Sequence, residues 1–300
     1  MSIKDINNRF ALGPYRYTIK KNAIIIDADD GHFVFKKRGT NNDIDQLFKY
    51  LKSRDFVYLP NLVDSNEHYD IYQYIDDVTT PKEQKGLDMM HLLSLLHNKT
   101  TFYKDVNEDE LKAMYEDISN DINHTFNYYN TMIEDIEQKV YMSPSEYLLA
   151  RNISRVFGAL MFCQREIDRW YELIKDKHKK RIVTLHNNVD LDHVLRYDDL
   201  YLLSWDNSRQ DMPLFDILNF YERYALELNF EELLKYYESK YKLLDEERLL
   251  LFVMMSIPRK VIYMEDEMDN CRETSKMLDY IYKTEALITP YYEVDDIKEN

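Results

Sequence analysis

The sequence predicts an α+β protein in which a small antiparallel sheet near the N-terminus precedes a larger, mainly helical remainder. Three observations carry this. Residues 15–37 hold strand-like runs separated by short turns, and residues beyond Thr80 show the apolar spacing of amphipathic helices. Between two such helical stretches, residues 181–216 break into short strands and polar loops. Polar groups offered at the ends of closely spaced strands are how a rigid scaffold presents functional residues.

In chain order, residues 15–20 and 23–28 read as strands joined at Lys21-Asn22. Asp29-Asp30-Gly31 makes the next turn and residues 32–37 a third strand, giving an antiparallel meander. Residues 41–53 form a helix with Ile44, Leu47, Phe48 and Leu51 on one face. Residues 56–59 and 68–74 complete the sheet. Residues 86–97 then carry Leu87, Met90, Leu92, Leu95 and Leu96 on a helix. Asn107 with Glu110 three residues on marks a helix start, as does Ser143-Pro144-Ser145-Glu146, with Pro144 suited to the first turn. The second of these helices runs to about Lys175 and ends in a basic tail, 175–181, that complements its dipole. Further helices are expected at 215–228, 230–241, 245–256 and 265–285.

Length and composition narrow the function. Three hundred residues suit one large domain or two lobes. A formal net charge of −16 argues against nucleic acid as a partner, and it suits solubility or the attraction of a cationic small molecule. Cys163 and Cys271 have no metal-site spacing and suit a reducing compartment. The opening MSIKDINNRFALGPYRY has no apolar core of signal-peptide length, and no run is long enough to span a membrane, so the expectation is a cytoplasmic protein with no membrane span. The 26 tyrosines suit either an aromatic cage or the amphipathic edges of a helical core, and their helical spacing favours the latter.

The central stretch, RIVTLHNNVDLDHVLRYDDLYLLSWDNSRQDMPLFD, resembles the catalytic centre of the aminoglycoside phosphotransferase and choline kinase family, a branch of the protein-kinase-like fold. The resemblance extends by element order over most of the chain, and its closest flavour is that of bacterial spore-coat kinase-like proteins. It implies a bilobal protein-kinase-like fold: residues 1–76 as a sheet lobe, residues 77–300 as a helical lobe, and a hinge near 75–80. Lys36 falls where the family has its strand lysine, with Asp43 or Asp45 as its expected partner. Backbone groups of Gln73, Tyr74 and Ile75 fall where adenine would be met. The family's glycine-rich first hairpin is replaced by Lys20-Lys21-Asn22, which weakens tight nucleotide binding.

The diagnostic positions have changed. His186-Asn187-Asn188 stands for His-x-Asp, His193 for the metal-binding Asn, and Leu203-Ser204-Trp205-Asp206 for Ile-Asp-Trp/Phe-Asp/Glu. Phosphoryl transfer rests on positioning and on neutralising phosphate charge with metal. Asn188 can orient a hydroxyl but cannot take its proton as a carboxylate does. Ser204 is neutral and His193 offers nitrogen, where magnesium prefers anionic oxygen. The residues therefore imply a degenerate phosphotransferase, a pseudokinase that binds or scaffolds, with no obligatory cofactor and with ATP, with or without Mg, or a protein as its partner. Two alternatives stand beside it. Asp190 or Asp206 could hold a relocated metal in an active small-molecule phosphotransferase, with Asp192 beside them, or the chain could be a structural coat-type component that binds no nucleotide.

Overall fold

The computed structural model describes residues 15–20, 23–28, 31–38, 44–65 and 68–298. The turn tips expected at Lys21-Asn22 and Asp29-Asp30, and Asp43, lie outside them. The chain divides into two compact units: Met1–Thr100 with His186–Arg209, and Thr101–Leu185 with Gln210–Asn300.

The first unit is built on a five-stranded antiparallel sheet of β1 (Tyr15–Lys20), β2 (Ala23–Ala28), β3 (Gly31–Lys37), β4 (Leu62–Ser65) and β5 (Tyr69–Gln73), in the order β1-β2-β3-β5-β4. Gly31 opens β3 at φ +135°, a backbone conformation that side chains with a Cβ rarely adopt. Register places Ile24, Phe35 and Ile71 in one row and Ile26 and Phe33 in the next, and these form the apolar cluster of one face. The opposite face carries Val34 beside Tyr72 and Lys36 beside Asp70.

Helix α1 (Ile44–Ser53) buries Ile44, Phe48 and Leu51. Its end differs from the expectation of a strand at 56–59. Asp55 sits in the left-handed region at φ 61°, its N–H meets the Lys52 carbonyl at 2.9 Å, and Phe56 N–H meets the Leu51 carbonyl at 3.0 Å. This paired closure stops the helix and commits the backbone of Phe56, while the Phe56 side chain is fully buried. The fourth strand therefore forms later, at β4. Helix α2 (Lys82–Thr100) and a two-stranded hairpin of β8 (Val194–Arg196) and β9 (Leu200–Leu202) complete the unit.

The second unit is mainly helical. It contains α3 (Glu108–Glu137), α4 (Pro144–Ile174), α5 (Leu214–Tyr224), α6 (Phe230–Lys240), α7 (Asp245–Ser256) and α8 (Glu267–Lys298). Both start signals close as expected. Asn107 accepts the Glu110 N–H at 2.7 Å, while Ser143 and Glu146 form a reciprocal capping box. The basic tail behaves differently. Helix α4 stops at Ile174, and Lys179–Leu185 forms β7, which pairs with β6 (Phe102–Asp105) and β10 (Arg209–Asp211) in the order β10-β7-β6. The sequence predicts the short strands at 194–196 and 200–202, whereas β6 and β10, of four and three residues, carry too little alternation to be read in advance.

Two polar anchors serve this unit. Arg181 bonds both carboxylate oxygens of Glu247, with Nε to Oε1 at 2.9 Å, and it lies 4.5 Å from the Tyr241 ring centre. Both charges are nearly buried, so Arg181→Met should lower stability by about 3–5 kcal/mol in urea denaturation, because Glu247 would be left without its cation. The other anchor is Glu267, whose carboxylate accepts the Ser145 N–H at 2.7 Å. That bond, followed by the Ser145 hydroxyl, holds its pKa at about 2 in place of 4.5. Stability from this group is present above pH 4.5 and is lost as pH falls towards 2, so Glu267→Gln should flatten that part of the acid-denaturation curve.

Candidate functional site

Trp205 organises the site, which lies within the first unit. It opens a short 3-10 turn (Trp205–Asn207) that follows β9, and it is 2% exposed. Its indole N–H donates to the Leu202 carbonyl at 2.7 Å, and its ring meets Phe48, Phe56 and His186 edge-on at centroid distances of 6.3, 5.9 and 4.9 Å. Burying this ring fixes the residues on either side of it. Ser204 takes the left-handed conformation, φ 65° and ψ 55°, and Asn187 does so at φ 55°. Such backbone is uncommon for a serine and concentrates at functional loops.

The polar residues are held by one another and by backbone carbonyls. Asn188 Nδ2 donates to the Ser204 carbonyl at 3.3 Å, and Asn187 Nδ2 to that of Asn207 at 3.0 Å. His193 Nδ1 donates to the Asn188 carbonyl at 2.7 Å, which fixes the proton on Nδ1 because a carbonyl can only accept. His186 Nε2 likewise donates to the Leu203 carbonyl at 2.6 Å. Asp190 accepts the Asp192 N–H at 3.1 Å, and its carbonyl accepts the His193 N–H at 2.9 Å, so its role in the loop is a turn.

Lys36 projects from β3 and forms an ion pair with Asp206. Both side chains are partly buried, at 19% and 27% exposure, so the pair is less screened than one at the surface. The expected partner Asp45 instead bonds Lys49 on its own helix. Tyr72, across the ladder from Val34, has its pKa raised by burial first and then by the charges of Asp70 and Asp206. The Gln73 N–H donates to the Asn61 carbonyl at 3.0 Å and the Tyr74 N–H to the His32 carbonyl at 2.9 Å. Ile75 follows, half-buried.

Arg196 and Asp88 were not singled out from the sequence, yet they lock the hairpin to α2. Arg196 reaches both oxygens of Asp88, with Nη2 at 2.6 and 2.8 Å, and its own N–H donates to Asp77 at 3.0 Å. Burial acts to raise the pKa of Asp77, but the bonds from Arg196 and Lys85 outweigh it and hold the value down. The available signal was an aspartate inside an otherwise apolar helical run; a charge there needs a partner.

Chemically, the cluster offers hydrogen-bond donors, one ion pair and no anionic oxygen at the positions of Asn188 and Ser204. Among the described residues, no group of three or more His, Cys, Asp or Glu side chains comes together to hold a metal ion. The donor set of Ser204, His193 and a lysine-bound Asp206 does not fit magnesium, which needs several hard oxygens. Because the whole assembly hangs on one buried ring, Trp205→Ala should lower stability by about 3–5 kcal/mol in chemical denaturation, and Trp205→Phe by distinctly less.

Compared by sequence, the chain matches no protein-family model and no curated protein significantly. Its structure is similar to that of an aminoglycoside phosphotransferase from Alicyclobacillus acidocaldarius, with a TM-score of 0.66 at 11% identity, covering 94% of this chain and 92% of the other. It is also similar to spectinomycin phosphotransferase with AMP bound, with a TM-score of 0.55 at 11% identity, covering 95% and 98%. No helix among the described residues is long and apolar enough to cross a membrane. The chain therefore has the protein-kinase-like fold that these two structures share.

Proposed function

We propose that the protein is a catalytically impaired member of this kinase-like group, working as a module that binds a nucleotide without magnesium or scaffolds a protein partner. The observation that carries this reading is the pairing of Asn188 with Ser204 at 3.3 Å. These are the positions at which the resembled family has a proton-accepting carboxylate and a metal-binding carboxylate. Here one is an amide and the other a hydroxyl; the amide donates to the Ser204 backbone carbonyl, and neither side chain carries a charge to exchange a proton or hold a hard cation. Lys36 would meet phosphates in a nucleotide complex, but its charge is answered by Asp206. A phosphate group would have to compete with that carboxylate for the lysine.

One observation favours a second reading. Asp206 is an anionic oxygen one residue beyond Trp205, and if it left Lys36 it would offer a metal ligand for an active phosphotransferase. Aminoglycosides and spectinomycin, the compounds for which the two similar phosphotransferases are named, would then be the first acceptors to try.

Thermal-shift titration of the full chain with ATP and ADP, each with and without magnesium, separates the two readings, since a ligand of the folded state raises apparent stability by mass action. Magnesium should add nothing to any shift that nucleotide gives, and phosphate hydrolysis or transfer should stay at background. A magnesium-dependent rise, with transfer abolished by Asp206→Ala or Asp190→Ala, would establish the relocated site instead.

A further inference from the structure

We propose that one end of the helical unit is a docking surface for a basic, amphipathic segment of another protein. The surface lies in the second unit, apart from Asn188 and Ser204, and it stands whether or not those residues belong to a nucleotide site.

Three segments of the chain meet there. The start of α4 is tied to the start of α8, because the Ser145 N–H donates to the Glu267 carboxylate at 2.7 Å. The loop of residues 139–142 leads into α4. It is pinned by the ion pair of Lys139 with Glu146 and by the Ser143 N–H, which donates to the same carboxylate at 2.9 Å. The extended stretch 260–264 leads towards α8 and packs Tyr263 beside Thr131 and Asp135 of α3.

What these segments present is apolar. Val140, Tyr141, Tyr147, Ile262, Met264 and Met268 are each between 54% and 88% exposed. A lone apolar side chain at a surface is ordinary, but a group on adjoining segments marks a surface that another molecule covers. Methionine and tyrosine suit such a role, the first by adapting its shape and the second by joining an apolar body to a polar tip.

The framework behind these side chains imposes their exposure. Val261 is buried, its carbonyl accepts from the Tyr128 hydroxyl, and its N–H donates to the Tyr129 hydroxyl at 3.3 Å. Asn270 closes on both backbone groups of Met264, accepting its N–H at 2.7 Å and donating to its carbonyl at 3.0 Å. Between these anchors, alternation turns Tyr263 inward and Ile262 and Met264 outward. Neither outward side chain can reach the core without breaking the bonds that hold its backbone, so burial of their apolar area is left to a partner.

Charge selects the partner. Asp135, Glu137 and Glu265 are exposed along the border of the surface. Lys139 is held by Glu146, and Lys260 lines a separate hollow with Asp121 and Glu222. The field over the surface is therefore negative, even though each carboxylate is solvated. A negative border repels an anionic lipid surface, and two copies of the chain meeting about a two-fold axis would set the same carboxylates against one another. The complement is an apolar segment flanked by lysine and arginine.

The test starts from a random peptide library displayed on phage and selected on the full chain, with the selected peptides then measured by fluorescence anisotropy. They should carry aromatic or aliphatic residues among lysines and arginines, and replacing those bases with glutamate should weaken binding about tenfold or more. The double variant Tyr141→Ser/Ile262→Ser should weaken the same peptides by about tenfold or more at an unchanged melting temperature, because both side chains are exposed in the fold. Glu137→Lys with Glu265→Lys should lower the association rate, and added salt should do the same to the parent. A library that yields no binder, peptides without a basic bias, or binding that survives Tyr141→Ser/Ile262→Ser would each overturn the proposal. So would self-association of the chain, or its binding to phosphatidylserine vesicles, if either is lost in that variant.

Discussion

A lysine that leaves a strand into partly buried surroundings needs an anion, and much of the first unit is arranged to bring one to Lys36. The sheet register places Lys36 on the face it shares with Val34, Asp70 and Tyr72. Asp206 reaches it only because Trp205, immediately before, is buried against Phe48, Phe56 and His186, and because Ser204 accepts a left-handed backbone. The hairpin that precedes this turn is fixed in its turn by the two-pronged grip of Arg196 on Asp88. Each of these steps rests on burial or on a charge that burial obliges to find a partner.

The same arrangement holds the central loop together without carboxylates at Asn188 and Ser204. Its framework is made of backbone carbonyls and rings. His186 donates to the Leu203 carbonyl, His193 to that of Asn188, and Asn188 to that of Ser204. Those bonds need donors of the right reach, and imidazole and amide supply them as well as any side chain. This geometry needs no carboxylate at the position of Asn188 or Ser204.

The helical unit gives the abundant tyrosines a structural use. Tyr128 and Tyr129 donate to the carbonyls of Val261 and Arg259, and the Tyr221 hydroxyl pairs with that of Thr284 at 2.7 Å. Each buries a ring and satisfies a polar group in one side chain, as the edge of a crowded helical core requires.

The sequence by itself determined the α+β class, the meander of the first strands, the capping of α3 and α4, and the order of strands and loops from Arg181 to Asp216, because each is a local property of period, turn chemistry or cap. It also singled out Lys36, Asn188, His193, Ser204 and Asp206, among which the structure pairs Lys36 with Asp206 and links Asn188 to the backbone of Ser204 and His193 to that of Asn188. Tertiary structure alone decided that Lys36 takes Asp206 rather than Asp45, that Arg196 takes Asp88, and that residues 179–181 join a sheet instead of ending a helix. Those outcomes depend on which charges are desolvated and which short segments find a neighbouring strand. Both are fixed by residues tens to more than a hundred positions away, beyond the reach of any local pattern.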